Sequence, residues 1–237
     1  MVGVAGEVLI TVGVLTLAFL GWQVWIGSAI AGASQQTQAV AQSRSWRERI
    51  PVAPTKPPAV RPDPGAPAVA TAPGYAVSFA NLIVPRFGAD YARPVAEGTG
   101  TADVLRVGIG HYPGTQMPGD VGNAAFAAHR TGHGQPFFDI DKLEVGDSIY
   151  FEMEAGWYRY VVRSLEYVLP EGVGVLDAVP QFAGRTPTDR VVTLTSCNPI
   201  YGADERIVVY GVYDTWYPRA GGPPPEIASL VTTLAAG

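Results

Sequence analysis

Residues 190–214 read RVVTLTSCNPIYGADERIVVYGVYD. RVVTLTS and RIVVYGVYD are runs of β-branched and aromatic residues, the composition of strands. Between them CNPIYGADE carries Asn-Pro, Gly and Asp, which break strands and make turns. The pattern predicts two strands returning side by side. Where the first gives way stands Cys197, the only cysteine among 237 residues. A single thiol cannot form an internal disulfide. It is either a small buried hydrophobe or a reactive group, and residue statistics alone do not separate the two.

Working outward, the same texture fills residues 75–218. AVSFANLIV, LRVGIG, AAFAAH, SIYFEMEA and WYRYVVRSLEYVL are further short β-branched or aromatic runs. Gly, Pro and Asp clusters separate them at intervals typical of a barrel or sandwich. EAGWYRYVV predicts a hairpin, and PFFDIDKL one short helical turn. The expected class is all-β with short helical turns. A head of this length buries a core without a disulfide or metal. Residues 219–237 open on a breaker cluster and end as a short helix or a loose tail.

Upstream, VLITVGVLTLAFLGWQVWI (residues 8–26) is almost wholly apolar. A hydrocarbon core of ~30 Å takes about 20 helical residues, so the run predicts a transmembrane helix, with Trp22 and Trp25 at an interface. Residues 1–33 therefore read as a membrane anchor and 34–74 as a linker. The linker begins with a polar stalk, 34–49, and continues into PVAPTKPPAVRPDPGAPAVATAP (51–73), a Pro/Ala-rich spacer without apolar periodicity. Extended at ~3.1 Å per residue, this spacer would hold the head roughly 70 Å from the membrane. No Lys or Arg precedes the span, whereas Arg44, Arg47 and Arg49 follow it. The positive-inside rule alone puts the head in the cytoplasm. The contrary, extracytoplasmic reading carries the expectation of a basic leader and a start upstream of Met1. The net charge of −5, with scattered Lys and Arg, offers no basic stripe for nucleic acid. The glycines near GIGHYPGT form no phosphate-binding loop.

A cysteine nucleophile needs a base and a donor for developing oxyanion charge. The sequence offers three histidines, His111, His129 and His133. His129 ends the run AAFAAH and leads into the Gly-rich RTGHG. Arg206 opens the strand after Cys197; its alternative reading is a strand-edge charge paired with Asp204, Glu205 or another acid.

TLTSCNP followed by an arginine in an apolar strand resembles the TLxTC…R signature of sortases. GHYPGT…GNAAFAAHRTGHGQPF resembles the region around the catalytic histidine of class E sortases of high-GC Gram-positive bacteria. The resemblance covers about residues 75–217 and implies a closed eight-stranded sortase-like β-barrel behind an N-terminal transmembrane helix. It implies Cys197 as nucleophile, His129 as general acid/base, and Arg206 as the group steadying the tetrahedral intermediate. It also implies Tyr112, Thr195 and Ser196 as substrate-binding residues, Ser196 standing where the family usually has Thr. No cofactor or metal is implied. The implied reaction is transpeptidation outside the membrane. A Leu-Ala-x-Thr-Gly sorting signal of a secreted surface protein is cut between Thr and Gly through a thioester. The protein then passes to the amine of a lipid-linked peptidoglycan precursor. The rivals are a hydrolytic cysteine endopeptidase, a pilus-polymerising sortase, a non-catalytic peptide-binding module, and a zinc site drawn from the three histidines and the cysteine.

Overall fold

The computed structural model describes residues 2–22, 26–50 and 65–236. Eight strands close into a barrel in the order β1 (Ser78–Ile83), β2 (Ala92–Glu97), β3 (Ile109–His111), β4 (Gly122–Ala127), β7 (Arg190–Asn198), β8 (Glu205–Pro218), β6 (Gly156–Val168), β5 (Ser148–Met153). The β2–β3 and β4–β7 pairs are parallel and the remainder antiparallel. The expected hairpin joins β5 to β6, with Met153 opposite Gly156. The expected pair β7–β8 is in register from Val191↔Val212 to Asn198↔Glu205.

Two local readings change. LRVGIG is only half strand: Val104–Val107 form a helical turn, α3, which Asp103 caps by accepting the Val104 N–H at 2.6 Å. β2, ARPVAE, carries a proline and an arginine and did not read as a strand. Pro94 is tolerated because the parallel ladder to β3 begins only at Val95, so no strand needs a proton from it on that side.

Alternation sorts each strand into an inward and an outward set. Ala124, Phe126 and Ala128 from the β4 segment, Val192 and Leu194 from β7, and Ile207 and Val209 from β8 all join the interior cluster. Their sequence neighbours therefore face outward, and the candidate site lies there.

The N-terminal region departs most from expectation. Helix α1 (Val2–Gly21) contains a 19-residue stretch, Gly3–Gly21, apolar enough to cross a membrane and wholly unburied. The end of the expected span, residues 23–25, lies outside the described residues. Residues 34–49 are not a stalk. They belong to helix α2 (Gly27–Arg49), which lies on the barrel and buries Ser28, Gly32, Gln35, Ala39, Ser43 and Trp46, spaced three and four apart on one face. The first part of the Pro-rich spacer, 51–64, is outside the described residues. Its remainder lies against the barrel, with the Trp216 indole donating to Gly65 O at 3.2 Å and the Tyr158 hydroxyl donating to Ala68 O. Because α2 precedes the spacer and already touches the barrel, the spacer cannot set the distance between head and membrane. The C-terminal tail forms α4 (Ala228–Ala236), and Ile227, Leu230 and Val231 pack with Ala39, Tyr150 and Trp157. It covers a wall shared by β5, β6 and Tyr217 near the end of β8, at the opposite end of that strand from Arg206.

A buried charge cluster fastens these outer elements. Glu152, fully buried, accepts from Ser43 Oγ at 2.8 Å, Asn81 Nδ2 at 3.2 Å and Arg219 Nη2 at 3.2 Å. The Arg219 guanidinium also sits 4.5 Å from the Trp157 ring centroid. Replacing Arg219 with Met leaves Glu152 without its counter-charge and is expected to cost about 3 kcal/mol or more in denaturant unfolding. The pair Arg219→Met with Glu152→Gln should recover part of that loss. An unchanged midpoint in the single variant would remove the cluster from the stability account.

Candidate active site

Cys197 lies on β7 directly opposite Arg206 on β8. Side chains of opposed residues share a face and have Cβ atoms about 5 Å apart. On the other side of β7 the parallel register runs from Gly122↔Arg190 to Ala127↔Thr195. It continues past the strand end, since the Ala128 N–H donates to Thr195 O at 3.2 Å. One further step sets His129 level with Cys197 on the same outward face. Strands β7 and β8 and the segment just past the end of β4 thus carry thiol, guanidinium and imidazole in a row.

The environment of each suits chemistry. Cys197 is a free thiol, partly accessible rather than walled in. Arg206 forms no ion pair among the described residues. Its Nη1 donates to Ala203 O and Glu205 O, both at 2.9 Å, which aims the guanidinium and leaves Nη2 and Nε available. Glu205, one of the acids expected to neutralise it, instead accepts from Asn198 Nδ2 at 3.0 Å. His129 is half-buried, and its Nε2 has no hydrogen-bond partner. Burial pushes its pKa below the usual imidazole value, and the His133 ring adds to the effect.

The remaining expected residues divide. Tyr112 and Thr195 come together, hydroxyl to hydroxyl at 3.0 Å, on the outward side of the strands, but Thr195 is only 4% exposed and Tyr112 is the accessible member of the pair. Ser196 points the other way: it is 3% exposed and donates to Ala128 O at 2.8 Å, tying β7 to β4 rather than lining the outer face. His111 is fully buried, with Nδ1 2.6 Å from Glu97 and Nε2 2.9 Å from Gln116 O. It packs against Phe126 of the interior cluster, so the histidines of the rival zinc set are divided between the inside and the outside of the barrel. No group of three or more potential ligands occurs among the described residues.

Arg130 was not singled out in the sequence, yet it braces the site. At 4% exposed, it donates to Asn198 Oδ1 and pairs with Asp141 at 2.8 Å, joining the loop after His129 to the end of β7 after Cys197. Its position next to His129 in AHRTG was the available signal.

A sortase-domain profile matches residues 82–214. The chain belongs to the sortase family. It is 34% identical to sortase SrtE1 of Streptomyces coelicolor over 94% of its own length, and spans 60% of the length of that relative. It is 30% identical to sortase SrtE2 of the same organism, covering 89% of this chain and 81% of that one. Among solved structures it resembles SrtA sortase from Actinomyces oris (36% identity, TM-score 0.66, 69% of this chain and 94% of that one). It also resembles sortase E1 from Streptomyces coelicolor with a tripeptide in its active site (37% identity, TM-score 0.60, 67% and 99%). The class E resemblance of the motifs and the closed eight-stranded sortase barrel both stand.

Proposed function

We propose that this sortase is a membrane-anchored cysteine transpeptidase, with the N-terminal span as anchor and the barrel of residues 75–218 as catalytic head facing the cell wall. The observation that carries the reading is the juxtaposition of Cys197 with Arg206 across β7–β8 and its continuation to His129 across β4–β7.

The residues divide the chemistry as follows. The Cys197 thiolate attacks the Thr carbonyl carbon of a Thr–Gly bond, forming a C–S bond and pushing electrons onto the carbonyl oxygen. The free N–H groups of Arg206 donate to that oxygen as its charge develops. His129 gives a proton to the glycine nitrogen as the C–N bond breaks, leaving a thioester. An incoming amine then attacks the thioester, His129 takes the proton released, and the thiolate departs. Burial of His129 makes its imidazolium scarce at neutral pH, which favours a slow enzyme with a proton ready to leave. Tyr112, held by the Thr195 hydroxyl, is the residue offered for the preference for Ala over Pro in a Leu-Ala-x-Thr-Gly signal. The clients are secreted surface proteins, and the acceptor is the amine of a lipid-linked wall precursor.

Incubation of the protein with a Leu-Ala-x-Thr-Gly peptide and excess amine tests this reading. The expected product is the amine conjugate of the Thr carboxyl. Release of the free acid alone, at saturating amine, would favour the hydrolytic endopeptidase instead.

A further inference from the structure

We propose that α2, the helix that follows the apolar span, is part of the catalytic apparatus: Gln35 holds the 132–135 loop and thereby positions His133 against His129. This rests on the reading of His129 as the general acid/base.

The contact is specific. Gln35 is 2% exposed, and its Nε2 donates to the His133 carbonyl at 2.8 Å across 98 positions of sequence. The helix comes close enough that a Cβ on Gly134 would stand 2.7 Å from the Gln35 amide, and one on Gly32 would stand 3.4 Å from Gly134 O. Two glycines, one on each side, make the approach feasible.

The loop it grips needs holding. Gly132, His133, Gly134 and Gln135 have φ of 71, 49, 80 and 52°, four successive residues in the left-handed region, two of them bearing side chains that disfavour it. Within the loop, one backbone bond, Gln135 N–H to Gly132 O at 2.8 Å, closes the turn. The Gln35 contact supplies an outside anchor at the strained residue itself. The consequence reaches the site, because the His133 ring lies 4.8 Å, centroid to centroid, from the His129 ring.

The ionisable groups about His129 and its loop are His133, Cys197 on β7 and Arg206 on β8, with Arg93 beside Gly134 and with Arg106 and Tyr201 lining the cavity that His133 lines. Arg130 is committed to Asp141 and Asn198, and of all these His133 is the one in ring contact with His129. Helix α2 brings no charge there, since Arg44, Arg47, Glu48 and Arg49 fall in its last two turns. His133 is therefore the neighbour through which a displaced loop would be felt. However residues 23–25 run, the chain between Gly21 and Gln35 spans at most roughly 35 Å, so the same contact ties the catalytic loop to the end of the span.

The test uses the full chain in detergent micelles. Gln35→Met keeps the side-chain volume and removes the donor. Its expected signature is a native unfolding midpoint and a kcat for peptide cleavage lower by about fivefold, at nearly constant KM. The acid limb of its pH profile, which reports His129, should move to higher pH as the influence of His133 is lost. His133→Phe, which retains a ring but no charge, should move the acid limb in the same direction with a smaller loss of kcat. A Gln35→Met enzyme with wild-type kcat and an unmoved acid limb would overturn the inference, as would a loss of rate that tracks only the unfolded fraction. His129→Ala separates the two levels. If that variant keeps its activity, the reading of the site itself fails. If it is inactive while Gln35→Met is wild-type, only the role of α2 is lost.

Discussion

Cys197→Ala is expected to lower cleavage of a sorting-signal peptide by about 1,000-fold or more, because no other group in the row can form the acyl bond. The fold should not notice. Cys197 lies on the outward face of β7, outside the interior cluster that Val192 and Leu194 join, so removing its sulfur opens no core cavity. Thermal unfolding of the variant should therefore overlay the wild-type trace. The complementary observation is covalent. Mass spectrometry of wild-type protein mixed with peptide and no amine should show the acyl group on Cys197, and the variant should show none. Cleavage by the variant at a rate comparable with wild type would end the nucleophile assignment and leave the row of side chains without a reaction.

The candidate site was legible in sequence because its three proposed members sit at strand ends beside breaker residues. Cys197 precedes Pro199, His129 precedes a Gly-rich loop, and Arg206 opens the strand that returns. Strand pairing then needed only the β7–β8 turn and the β4–β7 register to align them. The docking of α2 was not legible, for a physical reason. Its buried face is built from Ser28, Gly32, Gln35, Ala39 and Ser43, with only Trp46 large and apolar. A hydropathy pattern sees a solvated helix or a stalk. Beside the apolar contact of Ala39, much of what the helix meets on the barrel is also polar: Asn81 donates to Ala39 O at 3.0 Å, Glu152 accepts from Ser43, and Gln36 accepts from the Ala92 N–H at 3.1 Å. Two polar surfaces that satisfy one another leave no trace in a periodicity that scores only burial of hydrocarbon. The inward turn of Ser196 follows from a similar limit. Alternation was readable, but which parity faced the core depended on partners distant in sequence.

Arg206→Lys should lower kcat by about 100-fold while KM changes little, the loss expected when one preorganised oxyanion donor is removed. Charge is conserved in this substitution, so the effect isolates geometry. In the wild type one nitrogen, Nη1, is spent on the Ala203 and Glu205 carbonyls, and that anchors the guanidinium while Nη2 and Nε remain as further donors. An ammonium has a single nitrogen. It either stays with the two carbonyls and leaves the oxyanion without its donor, or reaches for the oxyanion from an unanchored stem. Arg206 is only partly buried and makes no ion pair among the described residues, so the stability change should remain within about 0.5 kcal/mol. The loss of rate then cannot be assigned to unfolding. Arg206→Ala supplies the scale. If Lys is as poor as Ala, the planar fork carries the function. A Lys variant near the wild-type rate would instead make Arg206 a loop brace, and the donor to the tetrahedral intermediate would have to be sought among the backbone N–H groups that follow His129.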